Sequence, residues 1–151
     1  MIIIDGHNLI GKYPGINFDG ANAKQELLDI LKKYKKAMDV KIIVVFDGAD
    51  KAGFGRYIEE GIDIRFSDNK QADDLIVDLC KKFSHARDTI IVSSDNEIIN
   101  AAKKFGLIPK KSEDFVNDIN NAIERFNSIE QTNDYLSPVQ IDDWMKYFKK
   151  K

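Results

Sequence analysis

A chain of 151 residues is long enough for one compact domain with a sizeable core, and its 43% hydrophobic and 32% charged residues are those of an ordinary soluble protein. The longest apolar stretches are strand-sized, which excludes a transmembrane helix and a membrane partner. Met1 runs straight into Ile2, Ile3 and Ile4 without the basic flank of a secretory leader, and the lone Cys80 excludes an internal disulfide, so a cytoplasmic protein is expected. The formal charge of −2 argues mildly against a general nucleic-acid binder, although binding depends on where the basic groups sit.

The elements alternate along the chain. Residues 2–4 are a short apolar run suited to a buried strand. Leu27, Ile30, Leu31, Tyr34 and Met38 recur at helical spacing and predict a helix over 23–38. The β-branched run 41–46 predicts another buried strand. A glycine-containing loop follows over 48–55; it lacks the Walker pattern, so no nucleotide cofactor is expected. Ile62, Ile64 and Phe66 alternate with polar residues, as an edge strand with one wet face does. Ala72, Leu75, Ile76, Leu79, Cys80 and Phe83 form a second helical stripe, with Cys80 as a small buried hydrophobe. A strand over 89–92, a helix over 97–105 and a short strand over 107–109 come next. Ser112 is placed to cap a helix running to about Asn127.

Strands apolar on both faces and alternating with helices predict an α/β fold, a parallel sheet of about five strands flanked by helices on both faces. Residues 1–127 are read as that domain. Residues 128–151 are read as a polar linker and a C-terminal helical extension, because Ser137-Pro138-Val139-Gln140 has a capping-box pattern and Ile141, Met145 and Phe148 form an apolar stripe. A helix docked on the domain's own core is the expectation there.

The chemistry-bearing residues are the carboxylates after the strands. Asp5, Asp47 and Asp95 each follow a buried run, and parallel strands bring all three to one edge of the sheet, where open α/β sheets bind ligands. A single aspartate at such a place is an ordinary turn or cap residue. Three converging ones repel unless a cation offsets their charge. In the helix after Gln71, the roughly 100° step per residue puts Asp73 on the flank of the apolar stripe and Asp74 on the far side. Asp73 is therefore the fourth candidate, with Asp74 second to it. Carboxylates without paired histidine or cysteine suit Mg²⁺ or Mn²⁺ rather than zinc. His85 reads as a surface residue, and His7 falls in the loop after the first strand, within reach of a substrate.

DGHN at residues 5–8, VVFDG at 44–48, ADD at 72–74 and SSD at 93–95, in that order, resemble the NYN-domain proteins of the PIN-like nuclease superfamily, most of all the YacP-like bacterial branch. The resemblance spans roughly residues 1–127. It implies a parallel sheet with a Mg²⁺ or Mn²⁺ site and endonucleolytic cleavage of RNA. It carries the acidic site onto Asp5, Asp73 and Asp95, with Asn8 and Asp47 in support. The position of His7, often aromatic in such proteins, departs from the pattern.

On that reading the reaction is hydrolysis of an RNA phosphodiester. Asp5, Asp73 and Asp95 hold the metal, and Asn8 orients a ligand or water. Ser93 and Ser94 bond the phosphate or cap the following helix, the cap being preferred for Ser94. Lys12, Lys51, Arg56, Lys70, Lys110 and Lys111 would ring the acids with positive charge, and Tyr13, Phe54 and Tyr57 lie where they could stack on bases. Messenger RNA and ribosome-associated RNA are both candidate partners. The rival is a non-cleaving module that grips RNA or the ribosome. A receiver-like domain fits worse, since it needs an acidic pair at the first strand. A dehalogenase-type phosphatase needs an aspartate where His7 stands.

Overall fold

The computed structural model describes residues 1–50, 53 and 55–131. The elements run β1 (Ile2–Asp5), α1 (Gly6–Lys12), α2 (Ala23–Met38), β2 (Ile42–Phe46), β3 (Arg56–Glu59), β4 (Ile62–Phe66), α3 (Ala72–Lys82), β5 (Ile90–Val92), α4 (Asn96–Lys104), β6 (Ile108–Lys110) and α5 (Ser112–Gln131). Among the described residues, six strands form one sheet in the order β3-β4-β2-β1-β5-β6, parallel except where β3 runs against β4. The expected α/β architecture, a largely parallel sheet with helices on both faces, is the one observed.

Strand alternation divides the core into two layers. Ile2, Ile4, Ile42, Val44, Phe46, Ile62, Ile64 and Val92 face α1, α2 and α5, where they meet Leu9, Leu27, Leu31, Phe115 and Ile119. Ile3, Ile43, Val45 and Ile91 face α3 and α4, where they meet Ile76, Leu79, Cys80, Ile98 and Ala102. Strands β1, β2 and β5 are apolar on both sides because both sides are covered. Burial also pushes the Cys80 thiol up to about 11, so this sulfur stays protonated and inert.

Three elements depart from the sequence reading. Residues 6–12, read as loop, form α1. It leaves β1 without a connecting residue because Gly6 has no side chain: a Cβ there would stand 2.5 Å from the Phe46 ring and 2.9 Å from the Val45 carbonyl oxygen. The alternating strand β4 is not the edge. Strand β3 pairs outside it, and the polar face of β4 carries Asp63 and Arg65, with Asp63 bonded by both Arg56 and Arg65. Helix α5 continues past Asn127 to Gln131, and Ser112 belongs to its first turn. Lys51, Phe54 and the terminal helix expected from Ser137 lie outside the described residues.

The order of strands positions the site. From β1 the chain moves to β2 on one side, continues to β4, then returns across the sheet through α3 to β5 on the other side of β1. Strand order therefore reverses between β1 and β5, and a crevice opens at their C-terminal ends.

Candidate functional site

Asp5 ends β1, and Asp95 follows β5 two residues beyond Ser93. A buried serine joins them. The Ser93 hydroxyl donates to Oδ2 of Asp5 at 2.9 Å, and the Ser93 Oγ itself accepts the Asp95 backbone N–H at 3.1 Å. Ser93 itself is fully buried, while its partners Asp5 and Asp95 are half-buried and exposed, respectively. Asp95 is in addition the N-cap of α4, its Oδ1 accepting the Glu97 N–H at 2.9 Å. That corrects the expectation for Ser94, which does not cap α4.

Asp5 is the electrostatically costly member. Burial raises its carboxyl above the ordinary value of 3.8, and the Asp95 charge adds to the rise, against the Ser93 hydroxyl, the Asn8 backbone N–H and His7. A carboxylate desolvated beside a second carboxylate is a place where positive charge is wanted.

A matching arrangement stands one strand over. The Ser67 hydroxyl, after β4, donates to Oδ1 of Asp47 at 3.0 Å, and its oxygen accepts the Gly48 N–H at 3.1 Å. The same Asp47 oxygen accepts the Ala72 N–H at 3.2 Å, at the first turn of α3. Asp47 thereby sets the start of the helix that carries Asp73. Asp73 is half-buried and Asp74 exposed.

Asp5, Asp47, Asp73 and Asp95 line one open cleft of about 640 Å³, together with His7, Phe18, Lys24, Gly48, Gln71 and Ala72. Asp74, Ser93 and Ser94 are not among its lining. Among the described residues no three histidine, cysteine, aspartate or glutamate side chains stand close enough to enclose a metal ion. The donors are nonetheless all carboxylate oxygen, which suits a hard divalent cation. Mg²⁺ in particular keeps several waters and takes only one or two protein carboxylates plus substrate oxygens, so an open pair such as Asp5 and Asp95 fits it better than a closed cage would.

Asn8 serves the scaffold. Its Oδ1 accepts the Ser94 N–H at 2.9 Å and the Ser112 hydroxyl at 2.6 Å, tying α1, the turn after β5 and α5 together. The Ser112 hydroxyl is thus spent on Asn8 and not on capping its own helix. Ser94 donates from its hydroxyl to Glu113 at 2.7 Å and accepts the Ser112 N–H at 3.0 Å.

The basic residues expected around the site divide. Lys12, in the last turn of α1, lines a second pocket of about 440 Å³ with Asp5, His7, Asn8, Gly11 and Phe18. Lys111 is exposed. Arg56 is engaged by Asp63 through two hydrogen bonds, Lys70 lies 3.6 Å from Asp78, and Lys110 pairs with Asp118. The aromatic expectations divide too. Tyr13 donates its hydroxyl to Asn120 at 2.7 Å, and Tyr57 stacks on Phe66. His7 lies in α1, edge-on to Phe46.

Lys24, Phe18 and Gln71 line the cleft and escaped the sequence reading. Lys24 stands over the Phe46 and Phe66 rings at 5.5 and 5.4 Å and reaches the cleft from the first turn of α2. Phe18 is 56% exposed at its rim. The signal for Lys24 was its position: a helix packed antiparallel to the strands starts at the sheet edge where the acids lie. Phe18, in a loop without periodicity, offered none.

A sheet of this order with helices on both faces and an acidic cleft at its switch point has the PIN-like α/β fold. The chain belongs to the YacP-like NYN domain family, whose model matches residues 2–149. Two crystal structures are similar to it, both of Rae1 (YacP) from Bacillus subtilis. One is 19% identical, covering 99% of this chain and 92% of that chain at a TM-score of 0.71. The other, a mutant form, is 20% identical, covering 95% and 89% at a TM-score of 0.72. At such identities the likeness speaks to the fold. No curated protein matches the chain. No helix among the described residues is long and apolar enough to cross a membrane.

Proposed function

We propose that the protein is a metal-dependent endoribonuclease acting at the Asp5–Asp95 edge of the cleft, with Mg²⁺ or Mn²⁺ as cofactor and RNA as substrate. One observation carries the reading: a buried serine holds together two strand-end carboxylates at the switch point of a PIN-like sheet, and burial and mutual repulsion already disfavour the ionised form of one of them. Family membership supports the same chemistry.

Asp5 and Asp95 would hold the cation, with Asp73 a further ligand directly or through water. When bound, it supplies Lewis acidity that activates water and offsets the charge of the phosphate. Water attacks phosphorus, the bond to the 3′ oxygen breaks, and the products carry a 5′-phosphate and a 3′-hydroxyl. Ser93 positions the two acids, Asn8 fixes α1 against the turn that carries Asp95, and Asp47 orients α3 and with it Asp73. Among the described residues, Lys12, Lys24 and Lys111 are cations available to the phosphate backbone.

The test is cleavage of a labelled single-stranded RNA by wild type and Asp95→Asn, with Mn²⁺, with Mg²⁺ and with chelator. Cutting that needs metal and disappears in the folded variant supports the enzyme. Binding without cutting by wild type replaces it with the non-cleaving module, the reading that the open spacing of the acids would then favour.

A further inference from the structure

We propose that Phe18 and the last turn of α1 form a nucleoside subsite beside the acidic cleft, in which the Phe18 ring stacks on an unpaired base and Lys12 meets its phosphate. The inference rests on the nuclease reading and extends it to a residue that neither motif nor periodicity marks.

Among the described residues, Phe18 is the exposed aromatic at the site. The other described candidates are engaged: Tyr13 by Asn120, Tyr57 by Phe66, and Phe66 and Phe46 by the core. The Phe18 ring rests on α1 at Gly11, its Cδ2 and Cε2 atoms 3.6 and 3.7 Å from where a side chain at that position would begin. It is thus held against α1 while more than half of it stays in water, an arrangement that burial alone does not explain.

Its place between two pockets gives it a role. Phe18 borders both the acidic cleft and the smaller pocket of about 440 Å³ floored by Asn8, Gly11 and Lys12, and Asp5 and His7 border both as well. A chain with its phosphate at Asp5 and its next nucleoside in the smaller pocket must pass the ring. That pocket falls in the roughly 300–1,000 Å³ range of small-ligand sites. An aromatic face beside a lysine and an amide is the complement of a nucleotide, which offers a base to stack, a phosphate to neutralise and polar edges to bond. Stacking of this kind tolerates any base but requires that the base be unpaired.

The test crosses a protein change with a substrate change. Cleavage of an RNA and of the same RNA with a single abasic residue, moved one position at a time past the cut, is measured for wild type, Phe18→Ala and Phe18→Trp. In wild type the abasic residue should raise KM about ten- to hundredfold at one position beside the cut. Phe18→Ala should show that loss with the intact RNA and no further loss with the abasic one, and Phe18→Trp should restore the wild-type pattern. An unchanged KM in Phe18→Ala, or an abasic penalty that persists in it, overturns the subsite and leaves the nuclease reading standing. If wild type cuts no RNA, the nuclease reading fails by itself. The subsite is then decided by 2-aminopurine fluorescence in short oligoribonucleotides bound to Asp95→Asn. Quenching lost on adding Phe18→Ala supports it, and quenching that is absent or independent of Phe18 overturns it.

Discussion

The acidic cleft is built from two similar clasps that do different work. In each, a buried serine after one strand donates to the aspartate after its neighbour and accepts a backbone N–H: Ser93 with Asp5, and Ser67 with Asp47. The N–H that Ser93 receives belongs to Asp95, a second carboxylate. The one that Ser67 receives belongs to Gly48, at φ +85° in a tight turn. The first clasp therefore concentrates negative charge around a half-buried acid, while the second spends an exposed acid on anchoring α3. On the proposed reading, the same local device serves the site where its neighbours leave charge unbalanced, and the scaffold where they do not.

The largest expected effect breaks that contrast at its centre. Asp5→Asn and Asp95→Asn should each lower kcat/KM for RNA cleavage roughly a thousandfold, the several kcal/mol that a bound cation contributes. Asp47→Ala, assayed where it is folded, should lower it tenfold or less. Removing the Asp5 charge also removes desolvation and repulsion, so metal-free Asp5→Asn should melt at or above the wild-type temperature. Mn²⁺ should raise the melting temperature of wild type and not of this variant, since only a ligand bound to the native state stabilises it. Equal cleavage losses at Asp5 and Asp47 would erase the distinction between the clasps.

Next in size are the serines. Ser93→Ala removes a fully buried hydroxyl that serves both the Asp95 N–H and an Asp5 oxygen, and should cost about 1–3 kcal/mol in urea unfolding. Ser67→Ala loses the equivalent bonds nearer to water and should cost about half of that. The activity split should be wider than the stability split, because only Ser93 positions two proposed ligands. A Ser67→Ala variant as inactive as Ser93→Ala would show that α3, and Asp73 on it, matters to the chemistry as much as the Asp5–Asp95 pair.

How far this was legible in the sequence follows from how local each cause is. The runs at 2–4, 41–46 and 89–92 declare buried strands because covering both faces of a sheet demands apolar residues at every position. The flank position of Asp73 follows from helical geometry within one turn. By contrast, α1 begins between Asp5 and Gly6 only because of the Phe46 ring, forty residues away in the chain, and its two glycines hide it from any propensity argument. Strand β3 has one exposed edge and a short mixed sequence, so its pairing with β4 decides it, not its composition. The Ser93 hydroxyl was visible as a candidate and the Ser67 hydroxyl was not, and the partner lies 88 residues off for Ser93 and 20 for Ser67. A hydroxyl's direction is set by what the fold places opposite it.

The smallest effect tests how the first clasp is held from behind. Glu113, in the first turn of α5, has its carboxyl held below the ordinary 4.5, first by the Ser94 hydroxyl and then by its own backbone N–H, with Lys12 and Lys111 adding attraction. A carboxyl whose folded value is depressed gives stability that is present above its ordinary value and is lost as pH falls through the lower one. The difference in urea midpoint between wild type and Glu113→Gln should therefore be small and constant from neutral pH down to about 4.5, then shrink below it. Other carboxylates titrate in the same window, but they are common to both proteins and cancel in the difference. Ser94→Ala should flatten the profile, since it removes the leading cause. A difference that instead grew as the pH fell would mean that Glu113 repels more than it binds. The tie from α5 to the turn carrying Asp95 would then rest on Asn8 and Ser112 alone.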